Sequence, residues 1–195
     1  MLAEDESCPL LLERLVRPTP HATHTDDAGF RIEFDASPYG GGAVLRDSAS
    51  HVIIAYFSVV WFGPEAEHLG VEPCDPKFQT FWEFATLLLA LCVWGDRFAA
   101  SSVLILGDNM AALSSSLSLS GKGPLSAIAR EISWRKARRG WTYEVAHLPA
   151  EHNTVADALS RTADPKGCHW PYDALAAATP ERPPRLQQLW LAAPH

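Results

Sequence analysis

The chain has 195 residues, 47% of them hydrophobic, and a formal net charge of -7. That is enough apolar material to bury one good core and too little for two full domains. The negative balance excludes a protein that holds nucleic acid through overall basicity, so any such partner must be met by a local patch. Cys8, Cys74, Cys92 and Cys168 are scattered without a CxxC pair, which predicts reduced thiols and an intracellular, cytoplasmic or nuclear protein. Glu4, Asp5 and Glu6 carry the wrong charge for a secretory signal. The apolar run from Phe84 to Trp94 falls short of the roughly 20 residues needed to cross a bilayer, so no membrane partner is expected.

In chain order, residues 1–28 mix prolines, histidines and acids around one short apolar stretch and read as a leader or linker. Residues 29–162 hold the ordered pattern. Phe30 to Phe34 alternates and ends at Asp35, Gly40 to Leu45 follows a turn at Ser37-Pro38-Tyr39, and His51 to Val60 is β-branched and aromatic. Three antiparallel strands are predicted there. Phe78 to Trp94 is too long for a strand and free of breakers, so it is predicted as a helix packed on that sheet. Val103 to Leu106 is a buried fourth strand, and Asp108 opens a helix that runs through Ala111 to Leu117. A helix from Leu125 to Arg138, a fifth strand from Trp141 to Ala146 and a last helix from Thr154 to Arg161, capped by Asn153, follow. The result is an α/β domain with a five-stranded mixed sheet, three strands antiparallel and then two parallel, flanked by helices. Residues 163–195 carry six prolines and read as an extended tail in which Leu186, Leu189, Trp190 and Leu191 form one short docking helix.

Four acids stand out by where they fall. Asp35 and Asp108 close strands, Glu83 lies in the first long helix and Asp157 in the last. Glu83 sits among Phe81, Trp82 and Phe84 with no Lys or Arg within a helical turn. Burying its charge costs several kcal/mol unless a cation compensates. Oxygen ligands alone suit hard ions such as Mg²⁺ or Mn²⁺. Taken singly, each acid has a structural alternative: a helix cap for Asp108, a turn for Asp35, a solvent-facing gap for Glu83.

Phe34-Asp35-Ala36-Ser37-Pro38-Tyr39-Gly40-Gly41-Gly42-Ala43-Val44-Leu45 resembles the first-strand motif of retroelement ribonuclease H domains. Trp82-Glu83 with Ala90-Leu91 is similar to their acidic helix, and Leu106-Gly107-Asp108-Asn109 to their third motif. His147-Leu148-Pro149-Ala150-Glu151-His152-Asn153-Thr154-Val155-Ala156-Asp157-Ala158-Leu159-Ser160-Arg161 is similar to the closing motif of reverse-transcriptase-linked domains of the gypsy and DIRS types. Four motifs in order, over Phe30 to Arg161, are far more specific than any one alone. Ala150 departs from the glycine usual in that motif.

The resemblance implies a ribonuclease H-like fold and an endonuclease that hydrolyses the RNA strand of an RNA–DNA hybrid. Asp35, Glu83, Asp108 and Asp157 would bind two Mg²⁺, with Mn²⁺ as a substitute and no small-molecule cofactor. Such ions, about 4 Å apart, activate water and stabilise the leaving oxygen. His147 would assist proton transfer or product release. The expected partners are the hybrid and a reverse transcriptase polymerase domain in a parent polyprotein.

Substrate contacts are expected at Ser37, Gly40, Gly41, Asn109, Asn153, Arg135 and Lys136. The Gly40–Gly42 run either admits a sugar-phosphate backbone or marks a bulge. From Lys122 to Arg139 six basic residues face one acid, Glu131, which suits either phosphate binding or a solvated face. Glu65, Glu67, Glu72 or Asp75 could replace Glu83, and the pairs His68/Cys74 and Cys168/His169 could suggest zinc, but no second pair completes such a site. Two rival readings remain: a catalytically silent hybrid-binding tether, and a DNA transposase or recombinase on the same fold.

Overall fold

The computed structural model describes residues 29–61, 66–98 and 102–189. The expected leader, residue Glu65, and Trp190 and Leu191 of the expected docking helix lie outside them.

Alternation builds the sheet. In β1 (Phe30–Ala36) the side chains of Ile32, Phe34 and Ala36 enter the main core, so Glu33 and Asp35 take the opposite face. β1 pairs antiparallel with β2 (Gly40–Asp47), and β2 with β3 (Ile53–Val60). β4 (Ser102–Gly107) lies parallel to β1, and β5 (Thr142–His147) parallel to β4. A sixth strand, β6 (Thr179–Pro180), runs parallel to β3, giving the order β5-β4-β1-β2-β3-β6. The sheet thus has six strands where the sequence pattern predicts five. Two residues cannot show an alternation, and proline is confined to edge positions of just this kind.

Helix α1 (Gln79–Trp94) buries side chains continuously from Phe81 to Leu91 because the sheet covers one side and two further helices cover the other. Pro76–Phe98 is long and apolar enough to span a bilayer, yet 72% of its most apolar window is buried inside the domain, which makes it a core helix. α2 (Met110–Ser118) begins at Asn109, whose side chain accepts the Ala112 N–H at 3.0 Å. α3 (Leu125–Arg139) packs Ile128 and Ile132 inward and stops at Gly140, which adopts φ 68°. The part-buried pair of Glu131 and Arg135, 2.7 Å apart, also lies on α3.

The other sheet face carries α4 (Thr154–Ser160), seated over β1, β2 and β3. The glycine run makes that seat. A Cβ at Gly42 would lie 2.6 Å from the Ala156 carbonyl, and one at Gly40 would lie 2.9 Å from the Ser160 carbonyl. On the opposite face, Gly41 is closed by Trp61 and Thr86. The register runs unbroken through these glycines and shifts instead at Leu45/Arg46.

The proline-rich segment after Thr162 lies against the domain. Trp170 meets Tyr56 edge-on with ring centroids 6.2 Å apart, and Leu175 of α5 (Tyr172–Leu175) joins Val44, Ile53 and Leu159 in a second small core. Glu181 pairs with Arg97, and Leu186 and Leu189 of α6 (Leu186–Leu189) are buried in the main core.

Candidate active site

Parallel pairing of β1 and β4 sends both strands out at the same sheet edge, where Asp35 is the penultimate residue of β1 and Asp108 the first beyond β4. Glu83 reaches that edge from the second turn of α1. The three residues each offer an oxygen within 4.8 Å of the others, and they form the one such group of His, Cys, Asp and Glu found among the described residues. Of the loop acids, Asp75 is paired with Lys77 and Glu67 and Glu72 face solvent, so Glu83 is the carboxylate that meets Asp35.

Each carboxylate is held by protein on one side. Asp35 is 6% exposed and its Oδ2 accepts the Ser160 hydroxyl at 2.6 Å. This contact follows from glycine: Gly42 stands opposite Asp35 in the register, and its missing side chain lets α4 approach near enough for Ser160 to reach across. Glu83 is 2% exposed and its Oε1 accepts from the Gln79 amide at 3.0 Å, while the same amide nitrogen also donates to the Ala36 carbonyl. The amide therefore ties α1 to the end of β1.

Two of the remaining oxygens lack a hydrogen-bond partner. Glu83 Oε2 and Asp108 Oδ1 are buried without a hydrogen-bond partner. Burial raises the Asp35 carboxyl to about 7, opposed by the Ser160 hydrogen bond and reinforced by Asp157 and Asp108. Burial, then the Asp35 and Asp108 charges, lifts Glu83 well above the usual carboxylate range. Clustered acids with buried, donorless oxygens fit hard divalent cations, whose charge would reverse this cost.

Asp157 borders the cluster. Its side chain is 42% exposed and its Oδ1 accepts from Arg161 Nε at 2.7 Å. His147 ends β5, level with Gly107 in the register and exposed at the same sheet edge as Asp108.

The expected substrate contacts fall in varied places. Ser37 is buried, donates to the Ser160 carbonyl at 2.6 Å and accepts the Tyr39 and Gly40 N–H groups. Gly40 and Gly41 are buried in the packing described above. Asn109 caps α2. Asn153 is 1% exposed and donates to the Phe34 carbonyl at 2.8 Å instead of capping α4 with its side chain. Arg135 is paired with Glu131, and Lys136 lies over the Tyr143 ring at 4.4 Å.

No family model matches the chain, and no curated protein does. Among solved structures, LC11-RNase H1 in complex with an RNA/DNA hybrid aligns with TM-score 0.50 and 17% identity, covering 67% of this chain and 91% of that one. The fold is that of ribonuclease H1. A second structure of LC11-RNase H1, isolated from compost by a metagenomic approach, aligns at TM-score 0.46 and 19% identity over 67% of this chain and 89% of that chain. RNase H1 from the halophilic archaeon Halobacterium salinarum NRC-1 aligns at 0.49 and 20% identity over 69% and 96%. At such identities the likeness speaks to the fold alone, and the chemistry rests on this chain's own residues.

Gln79 and Ser160 escape a reading of the sequence. The signal for Gln79 is its position one helical turn before Glu83, and for Ser160 its place one turn after Asp157, within reach of whichever strand α4 covers. Ser160→Ala should keep the fold and weaken Mg²⁺ binding measured by calorimetry about three- to tenfold, because a hydrogen bond to a charged group is worth about 1.5–3 kcal/mol and only part of it sets orientation. Unchanged affinity would mean that Asp35 needs no anchor.

Proposed function

We propose that this chain is a metal-dependent endonuclease that hydrolyses the RNA strand of RNA–DNA hybrids, the ribonuclease H part of a retroelement reverse transcriptase acting inside the cell. The observation that carries the reading is the convergence of Asp35, Glu83 and Asp108 with buried oxygens of Glu83 and Asp108 that meet no donor. It is supported by a fold shared with an enzyme solved on an RNA/DNA hybrid, and by the gypsy- and DIRS-like closing motif.

Asp35, Glu83 and Asp108, with Asp157 at their border, would hold two divalent ions, Mg²⁺ or Mn²⁺. Bound there, such ions supply a polarised phosphate and an activated water. The side chains do the rest. Ser160 and Gln79 fix the two buried carboxylates, so the ligands need no reorganisation when charge develops. Asp157 and Arg161 present a balanced pair at the open rim. His147, exposed at the same edge, would take or give a proton at the leaving oxygen. Selection of the hybrid would follow groove shape and the 2′-hydroxyl rather than base sequence, with a polymerase domain supplying further hold on the substrate.

The test is a panel of end-labelled hybrid, all-DNA and all-RNA duplexes with Mg²⁺ or Mn²⁺. Cleavage of the hybrid's RNA strand alone is expected. Binding without cutting would leave a tether, and cutting of the DNA duplex would leave a transposase or recombinase. In the same assay His147→Ala should lower turnover about 10- to 100-fold with KM little changed. A complete loss would give His147 a role equal to that of the carboxylates.

A further inference from the structure

The basic helix α3 sorts its cations into two groups. Arg135, Lys136 and Arg139 are engaged, with Glu131, the Tyr143 ring and Asp96 respectively. Arg130 and Arg138 are exposed and have no ion-pair partner among the described residues. Between them, one helical turn from each, lies Trp134, 45% exposed. The Arg138 guanidinium sits 5.1 Å from its ring centroid and that of Arg135 5.9 Å. The stripe runs beside a surface cleft of about 440 Å³ whose walls include Arg130 and Trp134 with Leu119, Gly121, Ser126 and Ser133. No acid lines it.

We propose that this stripe and cleft form a nucleic-acid contact separate from the carboxylate cluster, taking an unpaired strand that flanks the hybrid. The proposal rests on the nucleic-acid substrate proposed above and adds the form of strand that this face accepts. A half-exposed tryptophan beside guanidinium groups offers a stacking platform that any base can use, and the arginines on either side, which have no ion-pair partner among the described residues, offer phosphate contacts. By helix rise Arg130 and Arg138 are about 12 Å apart, a span of a few nucleotides. A paired base cannot enter the cleft, whereas a splayed base of a single strand can. In a chain of net charge -7, a cleft lined by Arg130 and by no acid among the described residues is where charge complementarity draws a polyanion.

The experiment uses the whole chain in EDTA, so that no cleavage intervenes, and follows anisotropy of three dye-labelled probes: a blunt hybrid, the same hybrid with a single-stranded oligo(dT) overhang, and oligo(dT) alone. The overhang should tighten binding about tenfold over the blunt hybrid. Trp134→Ala should remove that gain and leave blunt-hybrid affinity unchanged, Trp134→Phe should keep most of it, and Arg130→Ala with Arg138→Ala should flatten the salt dependence of overhang binding by about two contacts. Trp134 is exposed, so an unchanged melting curve verifies the variants. An overhang that adds nothing, a Trp134→Ala protein that loses nothing, or binding of oligo-glutamate in place of oligo(dT) would each overturn the proposal. If the chain cuts no hybrid with Mg²⁺ or Mn²⁺ yet binds oligo(dT) through Trp134, the nuclease reading fails and this one stands. If it cuts hybrid and ignores the overhang, the reverse holds.

Discussion

Asp35→Asn is expected to reduce hybrid cleavage by about 10³-fold or more while the domain stays folded. The amide keeps the carboxylate's volume and can still accept the Ser160 hydroxyl, which in the native chain lies 2.6 Å from Asp35 Oδ2. What it lacks is the negative charge, and with it the affinity that brings a cation between Asp35, Glu83 and Asp108. Losing metal-borne charge stabilisation of several kcal/mol converts to three or more orders of magnitude in rate. Asp108→Asn should act in the same direction. The measurement is initial cleavage of a labelled hybrid at saturating Mg²⁺, with circular dichroism to establish the fold. A variant within tenfold of the native rate would show that the three acids meet for some other reason.

The cluster was legible in the sequence because its members are expensive in isolation. An acid between Trp82 and Phe84 in a helix with no basic neighbour asks for a cation, and the ends of strands β1 and β4 are where parallel pairing brings Asp35 and Asp108 together. The five long strands were legible by different signals: alternation in β1 and β5, a turn ahead of β2, β-branched and aromatic residues in β3, and a short apolar run in β4. β6 was not, because two residues that include a proline carry no period. Nor was the use of the glycines. Gly40–Gly42 fits a substrate approach, a bulge or close helix packing equally well as a string of letters, and only the position of Ala156, Leu159 and Ser160 over β2 identifies packing as what fills the space. The same limit applies to the basic helix. Its charge is plain from composition, but which cations are paired depends on Glu131 and Asp96, one on α3 and the other just beyond α1.

Removing divalent ions should make the protein progressively less stable as pH rises from about 4 to 8. Asp35 is raised from 3.8 to about 7 in the folded, metal-free protein, first by burial. Across that interval the unfolded chain has already released the proton that the folded chain retains, so folding takes up protons and stability falls with pH until both states are ionised above 7. A shift of about three units corresponds to roughly 4 kcal/mol, and the site's open rim brings the expected effect to on the order of 2–4 kcal/mol. Glu83 shifts in the same direction and adds to it. Mg²⁺ at about 100 times its Kd should return about 2.7 kcal/mol at pH 8. Urea melts at several pH values in EDTA and in Mg²⁺, on the native chain and on Asp35→Asn, isolate the contribution: the difference between the two chains in EDTA should grow in favour of the variant as pH rises, and Mg²⁺ should reverse it. The other carboxylates are common to both chains and cancel in that difference. Parallel pH profiles for the two chains, or no gain from Mg²⁺ at pH 8, would mean that Asp35 carries its charge without strain and that the clustered acids are not waiting for a cation.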